Sequence, residues 1–206
     1  MQAQSYPLLG LSRLRMNTDG AGVTTLVAGA GCPLSCKWCI NAAVLRTLPE
    51  QVSAQTLYER VRRDDLYFRA TGGGVCFGGG EPLLHTAFLS EFRGICGADW
   101  RLYAQTALHV PPDAVRAAAR IFDEFIVDCK DMDAGRYRRY TGADAGLAYE
   151  NLRLLLSLTG AQRVQVRVPR IPEYNTDEDC ARSVAILRSI GVKRIERFTY
   201  RTDIAP

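Results

Sequence analysis

Gly31-Cys32-Pro33-Leu34-Ser35-Cys36-Lys37-Trp38-Cys39-Ile40-Asn41 gathers three of the chain's seven cysteines in the spacing C-x3-C-x2-C. Three thiolates on one short loop can grip three corners of a cubic [4Fe–4S] cluster. No fourth cysteine follows at a similar interval, so the fourth iron would stay open, whereas a structural cluster takes four thiolates. An open iron points to chemistry at the metal rather than storage of an electron. Two plainer readings compete. One is structural zinc, which three close sulfurs without a partnering Cys or His pair fit poorly. The other is chance clustering of seven cysteines among 206 residues.

Outward from this loop the chain reads as alternating strands and helices. Residues 23–28 are small and β-branched and form a strand that feeds the loop. Residues 53–70 read as a helix capped by Ser53, with Leu57, Val61, Leu66 and Phe68 on an apolar face. Val75-Cys76-Phe77 is a short buried strand running into Gly78-Gly79-Gly80-Glu81-Pro82. Further strands are expected over 102–106, 124–129, 164–168 and 194–200. Helices are expected over 83–97, from Pro111-Pro112-Asp113, over 133–140 and 148–158, and from Asn175-Thr176 to Gly191. Six strand–helix units imply a parallel sheet with helices outside. That is too few for a closed eight-stranded barrel. The expected fold is therefore α/β, an open or partial (β/α)6 barrel, with a doubly wound sheet as the alternative. Either way the loops after strand C-termini should build the site. Residues 1–17 read as a loosely attached arm or an edge hairpin, and 18–206 as one domain.

Composition sets limits on function. The hydrophobic fraction of 47% is ordinary for a globular chain, and no apolar run approaches the length that crosses a bilayer. Met1-Gln2-Ala3-Gln4 shows no secretory signal, so the cysteines are expected to be reduced, in cytoplasm, and available to iron. A net charge of +4 without a basic block interleaved with aromatics gives no argument for nucleic acid. Cys76, Cys96, Cys129 and Cys180 read as small buried residues, and His85 and His109 receive no role.

The loop's spacing, with aromatic Trp38 before its last cysteine, resembles the signature of the radical S-adenosylmethionine (SAM) superfamily. Gly79-Gly80-Glu81-Pro82 is similar to that superfamily's GGE-P segment, which contacts the amino group of SAM. The resemblance implies one [4Fe–4S] cluster on Cys32, Cys36 and Cys39, with SAM chelating the fourth iron. It implies reductive cleavage of SAM to a 5′-deoxyadenosyl radical or its equivalent, which abstracts hydrogen from a substrate.

More narrowly, residues 19–201 resemble activating enzymes of glycyl radical enzymes, of the pyruvate formate-lyase activase type. Asp19-Gly20-Ala21-Gly22 looks like their DGPG turn, whose Asp helps seat the partner's glycyl loop. Asn41, Thr106, the strand end Asp128-Cys129-Lys130 and Arg167 match positions near the cofactor. The implied partners are a glycyl radical enzyme and an electron donor such as flavodoxin or ferredoxin. The physical roles fit independently: Glu81 suits the ammonium of SAM, and Lys130 and Arg167 suit its carboxylate.

The chain also departs from that pattern. Gln105 replaces a cation-binding Asp, which puts a monovalent cation in doubt. Arg201 stands where those activases carry a His near the adenosine, and Thr24 where they often carry arginine. A helix after the last strand is not expected, and there is no room for a two-cluster ferredoxin insert. The readings that remain besides glycyl radical formation are a minimal radical SAM enzyme acting on another peptide or small molecule, and a non-catalytic iron–sulfur or zinc module.

Overall fold

A computed structural model describes residues 4–16 and 18–200. In chain order its elements are β1 (Ser5–Met16), β2 (Val23–Gly29), α1 (Ala42–Leu45), β3 (Glu50–Ser53), α2 (Ala54–Val61), α3 (Asp65–Thr71), β4 (Gly74–Gly79) and α4 (Thr86–Cys96). They continue through β5 (Arg101–Thr106), α5 (Pro112–Ile121), β6 (Glu124–Asp128), α6 (Ala134–Thr141), α7 (Gly146–Thr159), β7 (Val164–Arg170), α8 (Asp177–Ser189) and β8 (Arg194–Thr199).

Among the described residues the strands form one sheet, ordered β3-β1-β2-β4-β5-β6-β7-β8. Every pairing from β2 to β8 is parallel. Because β3 and β8 are both edges, the sheet is not closed. The expected open partial (β/α)6 barrel is the observed fold. The expectation of no helix after the last strand falls on residues 201–206, outside the described residues, as does Arg201.

The strands sort their side chains by the alternation that extended backbone imposes. Phe77, Ala104, Val127 and Val166 join the main core under the helices, where Phe77 meets Tyr6, Phe92 and Phe122 edge-on. Gln105, Asp128 and Arg167 fall on the opposite, inner face. Cys129 is out of phase with Asp128 and lies in the core with Cys180. β4 is buried along nearly its whole length, as its unbroken apolar run requires in a strand covered on both faces. Two expected caps hold: Ser53 Oγ accepts from the Thr56 amide, and Thr176 with Asp179 forms a capping box at the start of α8.

Three features differ from the sequence reading. Residues 5–16, expected as a loose arm or an edge hairpin, make β1, which pairs antiparallel with β2 but lies one strand in from the edge, between β3 and β2. The antiparallel ladder there hides Tyr6 and Leu8. β3, only four residues long, was not expected. The helix expected over 53–70 is broken into α2 and α3 by a 3₁₀ turn at Arg62–Asp64. Asp64 is the cause: its carboxylate is fully buried and accepts from Arg13 on β1 and from Thr25 Oγ1 on β2 at 2.7 Å. Satisfying a buried carboxylate from two strands outweighs straight helix geometry.

Candidate functional site

The cysteine loop runs from the C-terminal end of β2 to α1. The glycine-rich end of β4 crosses directly beside it. Gly80 N–H donates to Gly29 O at 2.9 Å, and Glu81 N–H donates to Gly31 O at 2.7 Å. A Cβ on Gly80 would lie 2.1 Å from Gly31 O, so only glycine allows this approach. Gly79 takes φ +86°, and its carbonyl accepts from Asn41 Nδ2 at 2.9 Å. On the other side, the last carbonyls of α6 receive the loop: Ser35 N–H donates to Thr141 O at 2.9 Å and Lys37 N–H to Tyr140 O at 3.0 Å. These are carbonyls that a helix end leaves unpaired.

Cys32, Cys36 and Cys39 line one cavity of about 270 Å³ at the C-terminal ends of the parallel strands. Asn41, Gly79, Gly80, Glu81, Thr106, Asp128, Lys130 and Arg167 line the same cavity. These residues span well over a hundred positions of sequence and come from four strands, β4 to β7, and from the loop that follows β2. Asp19 is the exception. It is 1% exposed, and Arg15, Thr18 and Gln105 all donate to its carboxylate. The carboxylate expected to seat a partner loop is thus turned into the fold, where burial demands those donors. Gln105 supplies an amide donor to Asp19 where a second carboxylate would repel it.

Glu81 lines the cavity as expected and is also held firmly by the fold. It is 2% exposed, and its oxygens accept from Thr106 Oγ1 at 2.8 and 2.9 Å, Leu83 N–H at 3.1 Å and Ala107 N–H at 3.0 Å. A carboxylate offers about four acceptor positions. Three donors, one of them shared between both oxygens, fill most of these positions and tie the end of β4 to the end of β5. Burial pushes its pKa up to about 7, against the pull of those hydrogen bonds. Lys130 Nζ sits 3.1 Å from Asp128 Oδ2. Burial works against the charged amine, but Asp128 first and Cys36 next outweigh it and hold the pKa above the ordinary lysine value. Arg167 donates through Nε to Glu196 at 3.1 Å and through Nη2 to Thr18 O. A guanidinium has five donors, so Arg167 keeps others for a ligand.

The donor set fits a cluster and SAM. All three thiols are free and share a cavity wall, and burial pushes Cys36 up to about 11 while Lys130 opposes it. Beside Cys39 the buried Trp38 Nε1 has no partner among the described residues. Among the described residues no three His, Cys, Asp or Glu side chains form a group around a single ion position. A cubane instead offers a separate iron to each thiolate. Sequence reasoning missed Tyr140, Phe198 and Tyr200, which also line the cavity. Their only signal was position: Phe198 and Tyr200 alternate at the end of the last strand.

A thiol trio and a glycine–glutamate turn at the open end of a parallel sheet define a class. Residues 26–184 match the family model of the radical SAM superfamily, and the chain belongs to that superfamily. It is a radical SAM enzyme similar to the superfamily's activating enzymes. It is 28% identical to the pyruvate formate-lyase 2-activating enzyme of Escherichia coli (strain K12), over 91% of this chain and 75% of that protein. It is 26% identical to the (2S)-3-sulfopropanediol dehydratase activating enzyme of Klebsiella oxytoca, over 85% of this chain and 75% of that one. Among solved structures, Streptococcus suis SuiB shares the fold with a TM-score of 0.65 at 12% identity, over 85% of this chain but only 39% of SuiB. No helix among the described residues is long and apolar enough to cross a membrane.

Proposed function

We propose that this protein uses one [4Fe–4S] cluster and SAM to generate a glycyl radical on a partner enzyme by abstracting a glycine α-hydrogen. The observation that carries the reading is the shared cavity of Cys32, Cys36 and Cys39 with Glu81, Lys130 and Arg167. Bound together, the cluster and SAM supply one-electron chemistry and hydrogen abstraction; the protein's part is binding and orientation.

In this reading Cys32, Cys36 and Cys39 would hold the cluster and leave it open to SAM on the cavity side. The negative charge of Glu81, flanked by the backbone of Gly79 and Gly80, favours the ammonium. Lys130 and Arg167 attract the carboxylate, with Asp128 aiming Lys130 and Asn41 holding Gly79 in place. Thr106 acts through Glu81. A glycyl radical is stabilised by its flanking amides, so the reaction needs no protein base. The partner is a glycyl radical enzyme, and a reductant such as flavodoxin or ferredoxin delivers the electron in a cytoplasmic, anaerobic setting.

The test incubates the anaerobically reconstituted protein with SAM, reductant and a candidate glycyl radical enzyme. Electron paramagnetic resonance should show a glycyl doublet on the partner, with 5′-deoxyadenosine formed alongside it. Release of 5′-deoxyadenosine with no doublet on any such partner would move the target to another peptide or a small molecule.

A further inference from the structure

Each cysteine of the loop has at least one neighbouring peptide hydrogen-bonded to a remote element. Gly31, before Cys32, accepts from the Glu81 amide at 2.7 Å. Ser35 and Lys37, on either side of Cys36, donate to the end of α6 at 2.9 and 3.0 Å. Trp38 and Ile40, on either side of Cys39, meet a single side-chain oxygen: Tyr200 OH donates to Trp38 O and accepts from Ile40 N–H at 3.3 Å. Tyr200 lies just beyond β8, and its own N–H donates to Arg170 O at 2.8 Å, which anchors it to β7. The residue is thus fixed to the far side of the sheet while its phenol reaches back 160 positions to the loop.

We propose that Tyr200 is a positioning residue for Cys39: its hydroxyl clamps the two peptides around that cysteine and sets the direction of its thiol. The clamp itself is a property of the protein alone; its consequence for the cluster rests on the function proposed above. A hydroxyl is suited to the task because it donates and accepts at once. The carbonyl at 38 and the amide at 40 do not pair with each other here; one phenol oxygen meets both. Phenylalanine would keep the ring but remove the oxygen that both backbone groups use. The same arrangement couples the last strand, which lines the cavity through Phe198 and Tyr200, to the geometry of the third thiol.

The test compares the full chain with Tyr200→Phe, and uses Tyr67→Phe, at an exposed tyrosine away from the cavity, as control. In apoprotein, the Ile40 amide should exchange its hydrogen about tenfold faster in Tyr200→Phe, as one lost hydrogen bond implies. After reconstitution, the reduced cluster should show shifted or broadened electron paramagnetic resonance lines. A chelator should also strip its iron several-fold faster. The Tyr67→Phe control should match wild type in all three measurements. An Ile40 amide with the same exchange rate in both proteins, or already unprotected in wild type, overturns the clamp. Faster exchange with an unchanged resonance spectrum overturns the positioning of Cys39. Wild-type protein that takes up no iron would sink the cluster reading instead, and exchange in apoprotein would still decide the clamp.

Discussion

Glu81 shows how one side chain can carry structure and charge together. Its folded pKa of about 7 stands above the ordinary 4.5 because burial disfavours the anion. A raised carboxylate pKa means that the folded state holds a proton the unfolded state has lost. The stabilising contribution is full below about pH 4.5 and disappears as pH rises through about 7. Apoprotein should therefore lose about 3 kcal/mol of stability between pH 4.5 and 8 from this group. Glu81→Gln should be less stable at low pH, having lost an acceptor, yet show a flatter profile; denaturant melts across that range would measure it. A wild-type profile with no decline would mean that Glu81 is solvated. Arg167→Ala should weaken SAM binding by about tenfold or more, since a charged hydrogen bond is lost. Isothermal titration into the reconstituted protein would read this, and the iron content should stay unchanged.

At the scale of elements, the approach of the β4 end to the cysteine loop admits a sharp test. Gly80→Ala places a Cβ 2.1 Å from Gly31 O, a backbone atom that cannot swing aside. The loop must shift, so iron uptake should fall severalfold while far-ultraviolet circular dichroism stays near wild type. Normal iron binding would show that the loop yields easily. Asp64 tests the attachment of β1. Asp64→Asn leaves the Arg13 guanidinium, itself 40% exposed, without its anion and weakens the bond from Thr25. A loss of about 2 kcal/mol is expected in a urea melt. This element was also the hardest to read in sequence. Leu8, Leu9, Leu11 and Leu14 look apolar, but two irregularities in the β1–β2 register break the alternation that marks a strand. β3 failed for a related reason: four residues are too few to show a period. The parallel strands, by contrast, announced themselves through buried runs such as Val75-Cys76-Phe77 ended by glycine.

In the molecule as a whole, core and chemistry are separated. Cys32, Cys36 and Cys39 stand outside the hydrophobic core, whose aromatic centre lies under the helices on the other face of the sheet. Replacing all three with alanine should abolish iron binding while shifting apoprotein stability by less than about 1 kcal/mol, as for substitutions outside the core. Iron analysis and a thermal melt on the same sample check both halves of this expectation. A collapsed melt would mean that the loop is part of the folding unit. Sequence alone determined the three-cysteine loop, the GGE turn and the rhythm of strands and helices, because each is written in local spacing and period. Only the tertiary structure decided that Glu81 is an internal strut, that Asp19 faces inward and that Tyr200 grips the cysteine loop. Those outcomes depend on which distant backbone groups and donors come within hydrogen-bond reach, and no local pattern encodes that.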